Sequence, residues 1–198
     1  MGKSAGKVGK VLFTREQIRS RLDALATAIV KRYGKSEITI VAVLKGSLVF
    51  TADLIRRLSI PVRVDILEVS SYLDGTKPSD RLVLSNYLVA DVRGRHVLVV
   101  DDIVDTGATL QSVLELLRRE KPRSLATCVF LKKGHVRPHP VGIDFCGFEL
   151  KSPEFVVGYG LDYAQRYRNL PYLAVLKKPG PGRPKAASRS PGSRKKGK

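Results

Sequence analysis

The sequence predicts an α/β domain: a mainly parallel central sheet flanked by helices. Three observations carry that expectation. Apolar runs of strand length alternate with stretches of helical period. The runs at 38–44 (ITIVAVL), 96–102 (HVLVVDD) and 124–131 (SLATCVFL) are apolar without alternation, as strands covered on both faces are. Polar turns follow such runs at 45–47, 101–109 and 132–134. In open parallel sheets, ligands bind at those carboxyl ends.

The elements follow in order. Thr14-Arg15-Glu16-Gln17 reads as a capping box. Behind it Ile18, Leu22, Leu25, Ile29, Val30 and Tyr33 recur at helical spacing, and Gly34 supplies a stop. Strand 38–44 leads through Lys45-Gly46-Ser47 into a helix marked by Leu48, Val49, Ala52, Leu54, Ile55 and Leu58. Pro61 opens a strand, VRVDILEVSS. The polar stretch YLDGTKPSDR has little core potential and reads as a long mobile loop, with a weaker strand near 82–84 after it. Residues 91–94 (DVRG) form a turn before the most apolar strand. Residues 108–120 are helical in pattern through Leu110, Val113, Leu114 and Leu117. SLATCVFL, IDFCGFEL, EFVVGYG and 172–176 supply the remaining strands.

At 198 residues the chain fits one domain, and 43% apolar content is enough for a core. No apolar run reaches the roughly 18 residues of a membrane span, and residues 1–13 lack a signal peptide's apolar stretch. The expectation is a soluble, cytoplasmic protein with no membrane partner. Cys128 and Cys146 sit in apolar segments and read as reduced, buried thiols. His135 and His139 are spaced like a helical metal pair, but Pro138 and Pro140 assign them to a loop.

The net charge of +18 is uneven. Residues 1–13 carry three basic residues and 177–198 carry nine, with no acid in either segment. The expected organisation is a flexible basic segment 1–13, a domain 14–176 and a disordered basic tail 177–198. The tail is the expected source of any weak affinity for nucleic acid or another polyanion.

The most informative stretch is VVDDIVDTGAT, residues 99–109. A turn that enters a helix presents backbone N–H groups and partial positive charge. Gly107 and Ala108 let a phosphate approach, and Thr106 and Thr109 add hydroxyls. Ionised carboxylates only accept hydrogen bonds, so Asp101 and Asp102 face a different part of the ligand. The vicinal hydroxyls of a ribose suit them. Asp105 is then free to accept a proton. Helix capping explains one of these acids well and three poorly.

The same stretch closely resembles the phosphoribosyl diphosphate (PRPP) signature of type I phosphoribosyltransferases. Its third acid resembles the 6-oxopurine branch, the hypoxanthine-guanine phosphoribosyltransferases; adenine-type members typically carry a small residue where Asp105 stands. Three further motifs follow the family's order. Leu44-Lys45-Gly46-Ser47 resembles the pyrophosphate loop, implying a cis peptide at Leu44–Lys45 and pyrophosphate binding by Lys45 and Gly46. Ser71 and Tyr72 resemble the start of a flap that excludes water from an oxocarbenium-like centre. Lys132 matches the lysine that bonds the purine O6. In EFVVGYGLDYAQRYR, Phe155 matches the aromatic that stacks on the purine and Val156 the residue whose backbone reads its edge. Asp162 matches a magnesium and pyrophosphate-side acid, counted also with the purine-binding residues, and Arg168 a pyrophosphate-binding arginine. Glu154 departs from the lysine often found before the aromatic.

The resemblance implies a small hood and a mobile flap beside the sheet, and a homo-dimer or homo-tetramer. It implies salvage of hypoxanthine or guanine with PRPP, with Mg2+ held by Asp101, Asp102 and Asp162. Asp105 is the implied catalytic base. Two alternatives stand beside this: a xanthine-preferring transferase, and a PRPP-sensing regulator that binds nucleic acid. No helix-turn-helix precedes the domain, and a non-catalytic sensor would have no need of Asp105.

Overall fold

A computed structural model describes residues 6–74, 77–84, 91–134 and 141–177, with side chains described outside 70–84. The elements are β1 (Lys7–Phe13), α1 (Arg15–Tyr33), β2 (Ile38–Leu44), α2 (Leu48–Ile55), β3 (Val62–Asp74), β4 (Lys77–Leu84), β5 (His96–Val104), α3 (Ala108–Arg119), β6 (Ser124–Lys133), β7 (Phe145–Leu150), β8 (Val156–Val157) and β9 (Leu173–Lys177). The main sheet has the order β4-β3-β2-β5-β6-β7. Its strands β3, β2, β5, β6 and β7 run parallel, and β4 closes one edge antiparallel to β3. A second sheet, β1-β9-β8, is antiparallel.

Alternation within the parallel strands explains their continuous apolar character. Leu98 and Val100 of β5 enter a core with α1 and α2, where Ile18, Leu22, Ile29, Phe50 and Leu54 are buried. Val97 and Val99 enter the opposite core, under Leu110, Val113, Leu114 and Leu117 of α3. Each such side chain fully buried contributes about 1.5–3 kcal/mol. At the start of α1, Thr14 Oγ1 accepts from the Gln17 N–H (3.3 Å) and Gln17 Oε1 from the Thr14 N–H (2.8 Å). The helix ends at Gly34, whose φ of 63° suits glycine.

The structure differs from the sequence expectations in several elements. Residues 7–13 are not a flexible segment: β1 pairs with β9, Val8 opposite Leu176 and Phe13 opposite Leu173. The stretch expected to be a mobile loop lies mostly in strands, β3 continuing through Ser71 and Tyr72 to Asp74, and β4 starting at Lys77. Asp74-Gly75 is itself a hairpin signal in the sequence, and Pro78 is tolerated because β4 is an edge strand. The side chains of Ser71 and Tyr72 lie outside the described ones. Helix α2 ends at Ile55, and Leu58 follows in tighter turns, its N–H bonding the Ile55 carbonyl. The last strand is shifted by one residue, to Leu173–Lys177. His135, His139 and the tail from 178 on lie outside the described residues.

Candidate active site

The carboxyl ends of β2 and β5 lie side by side because the two strands pair parallel from Ile38 opposite His96 to Ala42 opposite Val100. Three separate stretches therefore meet. A cavity of about 340 Å³ is lined by Lys45 and Gly46 after β2, Asp101 and Asp102 of β5, Thr109 of α3, and Asp162 and Arg168.

The Leu44–Lys45 peptide is cis, the bond that the pyrophosphate-loop resemblance implies. Lys45 Nζ lies 3.5 Å from Glu68 of β3, and both side chains are exposed. Gly46 is wedged between two other stretches. A Cβ there would collide with the Asp102 carboxylate, and a Cβ on Gly160 would collide with the Gly46 carbonyl. Glycine at both positions is what lets the three stretches close on one point. Ser47 is buried, its hydroxyl donating to the Val43 carbonyl at 2.5 Å.

Strand β5 continues to Val104, so Asp101 and Asp102 are strand residues rather than the strand's last two. Asp101 is 5% exposed and accepts a bond from the Asp102 N–H at 2.9 Å. Burial, and then the Asp102 charge beside it, pushes the Asp101 carboxyl well above the usual carboxylate range. Burial also raises Asp102, against bonds to Asp101 and backbone N–H groups and the nearby Arg168 charge. A buried acid and a partly buried neighbour, both with raised pKa values, mark this point as a candidate site for a cation or hydroxyl donors.

Gly107 takes a left-handed φ of 82° and starts α3. Thr106 and Ala108 are exposed, and Thr106 Oγ1 accepts weakly from the Ala108 N–H at 3.4 Å. The first turn of α3 thus faces outward with small residues and hydroxyls.

Asp105 is half-exposed, and Lys133 Nζ lies 3.4 Å from it. Lys132 and Lys133 point to opposite faces of β6, so Lys132 instead approaches Glu149 at 3.9 Å. The sequence reading assigned Lys132 to the purine and did not single out Lys133, whose place beside Asp105 only the fold reveals. Phe155 meets Tyr163 edge-on at 5.7 Å between ring centroids. Val156 has its side chain buried and pairs with Val175, on the edge strand of the second sheet.

Arg168 donates to the Gly160 carbonyl at 2.7 Å and forms an ion pair with Asp162 at 2.8 Å. Asp162 also accepts from the Gln165 N–H at 2.8 Å. Among the described residues no three His, Cys, Asp or Glu side chains converge as a metal cluster. The expected trio Asp101, Asp102 and Asp162 is therefore not assembled by the protein alone. The Asp162 carboxylate is held by Arg168.

A family model, "Phosphoribosyl transferase domain", matches residues 12–164. This chain belongs to the phosphoribosyltransferase family. Within it the chain falls in the hypoxanthine-guanine branch. It is 42% identical over 169 residues to a hypoxanthine phosphoribosyltransferase of Salmonella typhimurium, covering 84% of this chain and 94% of that relative. It is 40% identical over 170 residues to a hypoxanthine-guanine phosphoribosyltransferase of Bacillus subtilis, with 86% and 94% covered. A crystal structure of a hypoxanthine-guanine phosphoribosyltransferase from Bacillus anthracis, with a HEPES molecule in its active site, superposes with a TM-score of 0.80 at 36% identity. It covers 85% of this chain and 99% of that one. The five parallel strands and their helices are thus a phosphoribosyltransferase core, which the matched segment spans from Leu12 to Ala164. Arg168 and β9 lie just beyond that segment, yet Arg168 closes the phosphoribosyltransferase cavity.

Proposed function

We propose that this chain performs purine salvage, transferring the phosphoribosyl group of PRPP to hypoxanthine or guanine to give IMP or GMP and pyrophosphate. The observation that carries this reading is the meeting of Lys45–Gly46, Asp101–Asp102 and Asp162–Arg168 on one cavity. In the reaction the bond from C1′ to pyrophosphate breaks and a bond from C1′ to purine N9 forms. Asp105 takes the N7 proton. The Thr106–Thr109 turn, Gly107 and Ala108 included, holds the 5′-phosphate on the N-terminus of α3. Asp101 and Asp102 hold the ribose hydroxyls. Lys45, Gly46 and Arg168 receive the leaving pyrophosphate. Lys132 favours a 6-oxo group, which offers an acceptor oxygen that a 6-amino group lacks. Phe155 stacks on the purine, and the Val156 backbone reads its edge.

The donor set fits Mg2+. Oxygen donors suit it, and it is commonly held by one or two carboxylates together with substrate phosphates. Asp101 and Asp102 would hold it with PRPP oxygens, with Asp162 nearby. When bound, it neutralises charge on the leaving group. Burial has raised both acids, and a divalent cation would keep them ionised side by side.

The reading extends to location and assembly. Cys128 and Cys146 are free thiols, which suits a reducing cytoplasm. No helix among the described residues is long and apolar enough to cross a membrane. Leu48, Val64 and Ile66 are 57%, 49% and 48% exposed, and their burial would favour a homo-dimer or homo-tetramer. The nine basic residues of 177–198 support weak, salt-sensitive polyanion binding.

The test is steady-state turnover with PRPP, Mg2+ and each of hypoxanthine, guanine and xanthine. The expected result is a higher kcat/KM for hypoxanthine or guanine than for xanthine. Tight PRPP binding without nucleotide formation would favour the regulator instead.

A further inference from the structure

Helix α2 begins at Leu48, with Ser47 between it and Lys45–Gly46, and Asp53 lies within its second turn. The loop 158–168 carries Asp162 and Arg168 at its far end. These two units approach where Gly160 faces the Gly46 carbonyl, with no room there for a Cβ on Gly160. Such a contact brings them together but has no directional bond to fix their register.

The bond that does fix it comes from Tyr159. This side chain is 5% exposed, and its hydroxyl donates to Asp53 Oδ2 at 2.8 Å, across 106 residues of sequence. Burial, and then the Asp53 bond, holds the phenol pKa well above its ordinary value, so the hydroxyl remains a donor at neutral pH. Asp53 Oδ1 is taken by Arg56 of the same helical segment, and the Asp53 carbonyl accepts from Arg57 at 2.6 Å. Arg57 is in turn paired with Asp23 of α1 at 2.8 Å. The Tyr159 ring packs on Phe130 with centroids 4.8 Å apart.

Tyr159 is not a comfortable residue for its place in the chain. Its φ is 49°, between Gly158 at 104° and Gly160 at 99°. A non-glycine residue in that region is disfavoured unless its surroundings hold it. What the conformation achieves is visible in the next residues. The Tyr159 N–H bonds the Leu170 carbonyl at 2.8 Å, and the Gly160 N–H bonds the Arg168 carbonyl at 3.0 Å. The Gly160 carbonyl then receives the Arg168 guanidinium at 2.7 Å. Arg168 is therefore gripped at its backbone and its side chain by the residue next to Tyr159.

The geometry points to Tyr159 and Asp53 as positioning residues that lock the Arg168 loop onto the helix following Lys45–Gly46, and so set the pyrophosphate half of the PRPP site. The inference rests on the reading of Lys45, Gly46 and Arg168 as that half. It assigns no contact with the purine half, so the two substrates separate the effect.

The test compares Tyr159→Phe, Asp53→Ala, Asp53→Asn and Arg56→Gln with the wild type. Tyr159→Phe keeps the ring on Phe130 and removes only the hydroxyl. Losing one buried hydrogen bond and slightly misplacing a substrate-holding group should raise the KM for PRPP, and for pyrophosphate in reverse, about three- to tenfold. The KM for hypoxanthine should stay within about twofold, since no purine contact is lost. Asp53→Asn keeps an acceptor oxygen and should recover most of the loss seen in Asp53→Ala. Arg56→Gln should behave as wild type. Should Tyr159→Phe fail to fold, the contrast between the two Asp53 variants carries the same test. A lowered Tm with unchanged KM for PRPP in the Tyr159 or Asp53 variants would reduce the bond to a purely structural one and overturn the inference. So would an equal rise for PRPP and purine, or an Asp53→Asn as impaired as Asp53→Ala. PRPP affinity read by calorimetry needs no acceptor base. Wild-type binding without turnover on any purine would defeat the salvage reading, while the variants' PRPP affinities would still decide the role of Tyr159.

Discussion

The two ends of the parallel sheet treat their acids in opposite ways. At the amino ends of the strands, Glu37 lies between Arg63 (2.9 Å) and Arg95 (3.2 Å). Asp144, just before β7, is bonded by Arg32 at 2.6 Å and by the Thr127 N–H at 2.9 Å. At the carboxyl ends, the ion pairs formed among the described residues pass over Asp101 and Asp102, and Asp105 has Lys133 at 3.4 Å. At the amino end Glu37 and Asp144 are paired, which serves stability. At the carboxyl end burial raises both Asp101 and Asp102, and the Asp102 charge raises Asp101 further, an arrangement that costs stability in the free protein. The contrast separates acids that hold the fold from the acids proposed to hold a substrate.

That contrast can be broken by substitution. Asp105→Asn should lower the forward rate by about 10²–10⁴, the span for losing a general base, with PRPP affinity largely kept. Steady-state kinetics and PRPP calorimetry check it, and a near-wild-type rate would remove Asp105 from that role. Asp101→Asn should weaken PRPP binding at least about tenfold, since buried hydrogen bonds to charged groups are worth about 1.5–3 kcal/mol. It should also raise the Tm of the ligand-free protein by a few degrees, roughly 1 kcal/mol, because a buried repulsion is relieved. A fall in Tm would show that the acid end is not under electrostatic tension.

The amino end should respond in the opposite sense. Burial opposes ionisation of Asp144, but the bonds from Arg32 and Thr127 prevail and hold its carboxyl below the ordinary range. A carboxyl with a depressed folded pKa contributes stability above its unfolded pKa and loses it as pH falls through the folded one. Asp144→Asn should therefore cost about 1–2 kcal/mol at pH 7, and the gap in Tm from wild type should close on acidification below the ordinary carboxylate pKa. Turnover should be unchanged, since Asp144 lies at the far end of the sheet. A gap that persists at low pH would mean the charge is not what matters. Glu37→Gln should have the smallest effect, about 0.2–1 kcal/mol, shrinking in high salt. Thermal melts at two ionic strengths measure it.

Much of the fold was legible because its signals are local. The α1 capping box spans four residues, the buried strands announce themselves by unbroken apolar runs, and the Gly107 turn follows from the residues that enter α3. The residues proposed to hold the phosphate and the ribose could be singled out for the same reason: they occupy one eleven-residue stretch, 99–109. The β1–β9 pairing, by contrast, joins Lys7 to Lys177, and no periodicity in either segment reports the other. A polar composition hid the β3–β4 hairpin, because backbone pairing does not require apolar side chains.

The sequence by itself determined which residue types could do phosphoribosyl chemistry and the order in which they occur. Only the tertiary structure decided which of them meet. It chose Lys133 over Lys132 as the partner of Asp105, because adjacent strand residues face opposite ways. It set Tyr159 against Asp53 and Gly46 against both Asp102 and Gly160. Those meetings depend on how the parallel strands register and cross, and so on packing across the whole sheet, which no short window of sequence contains.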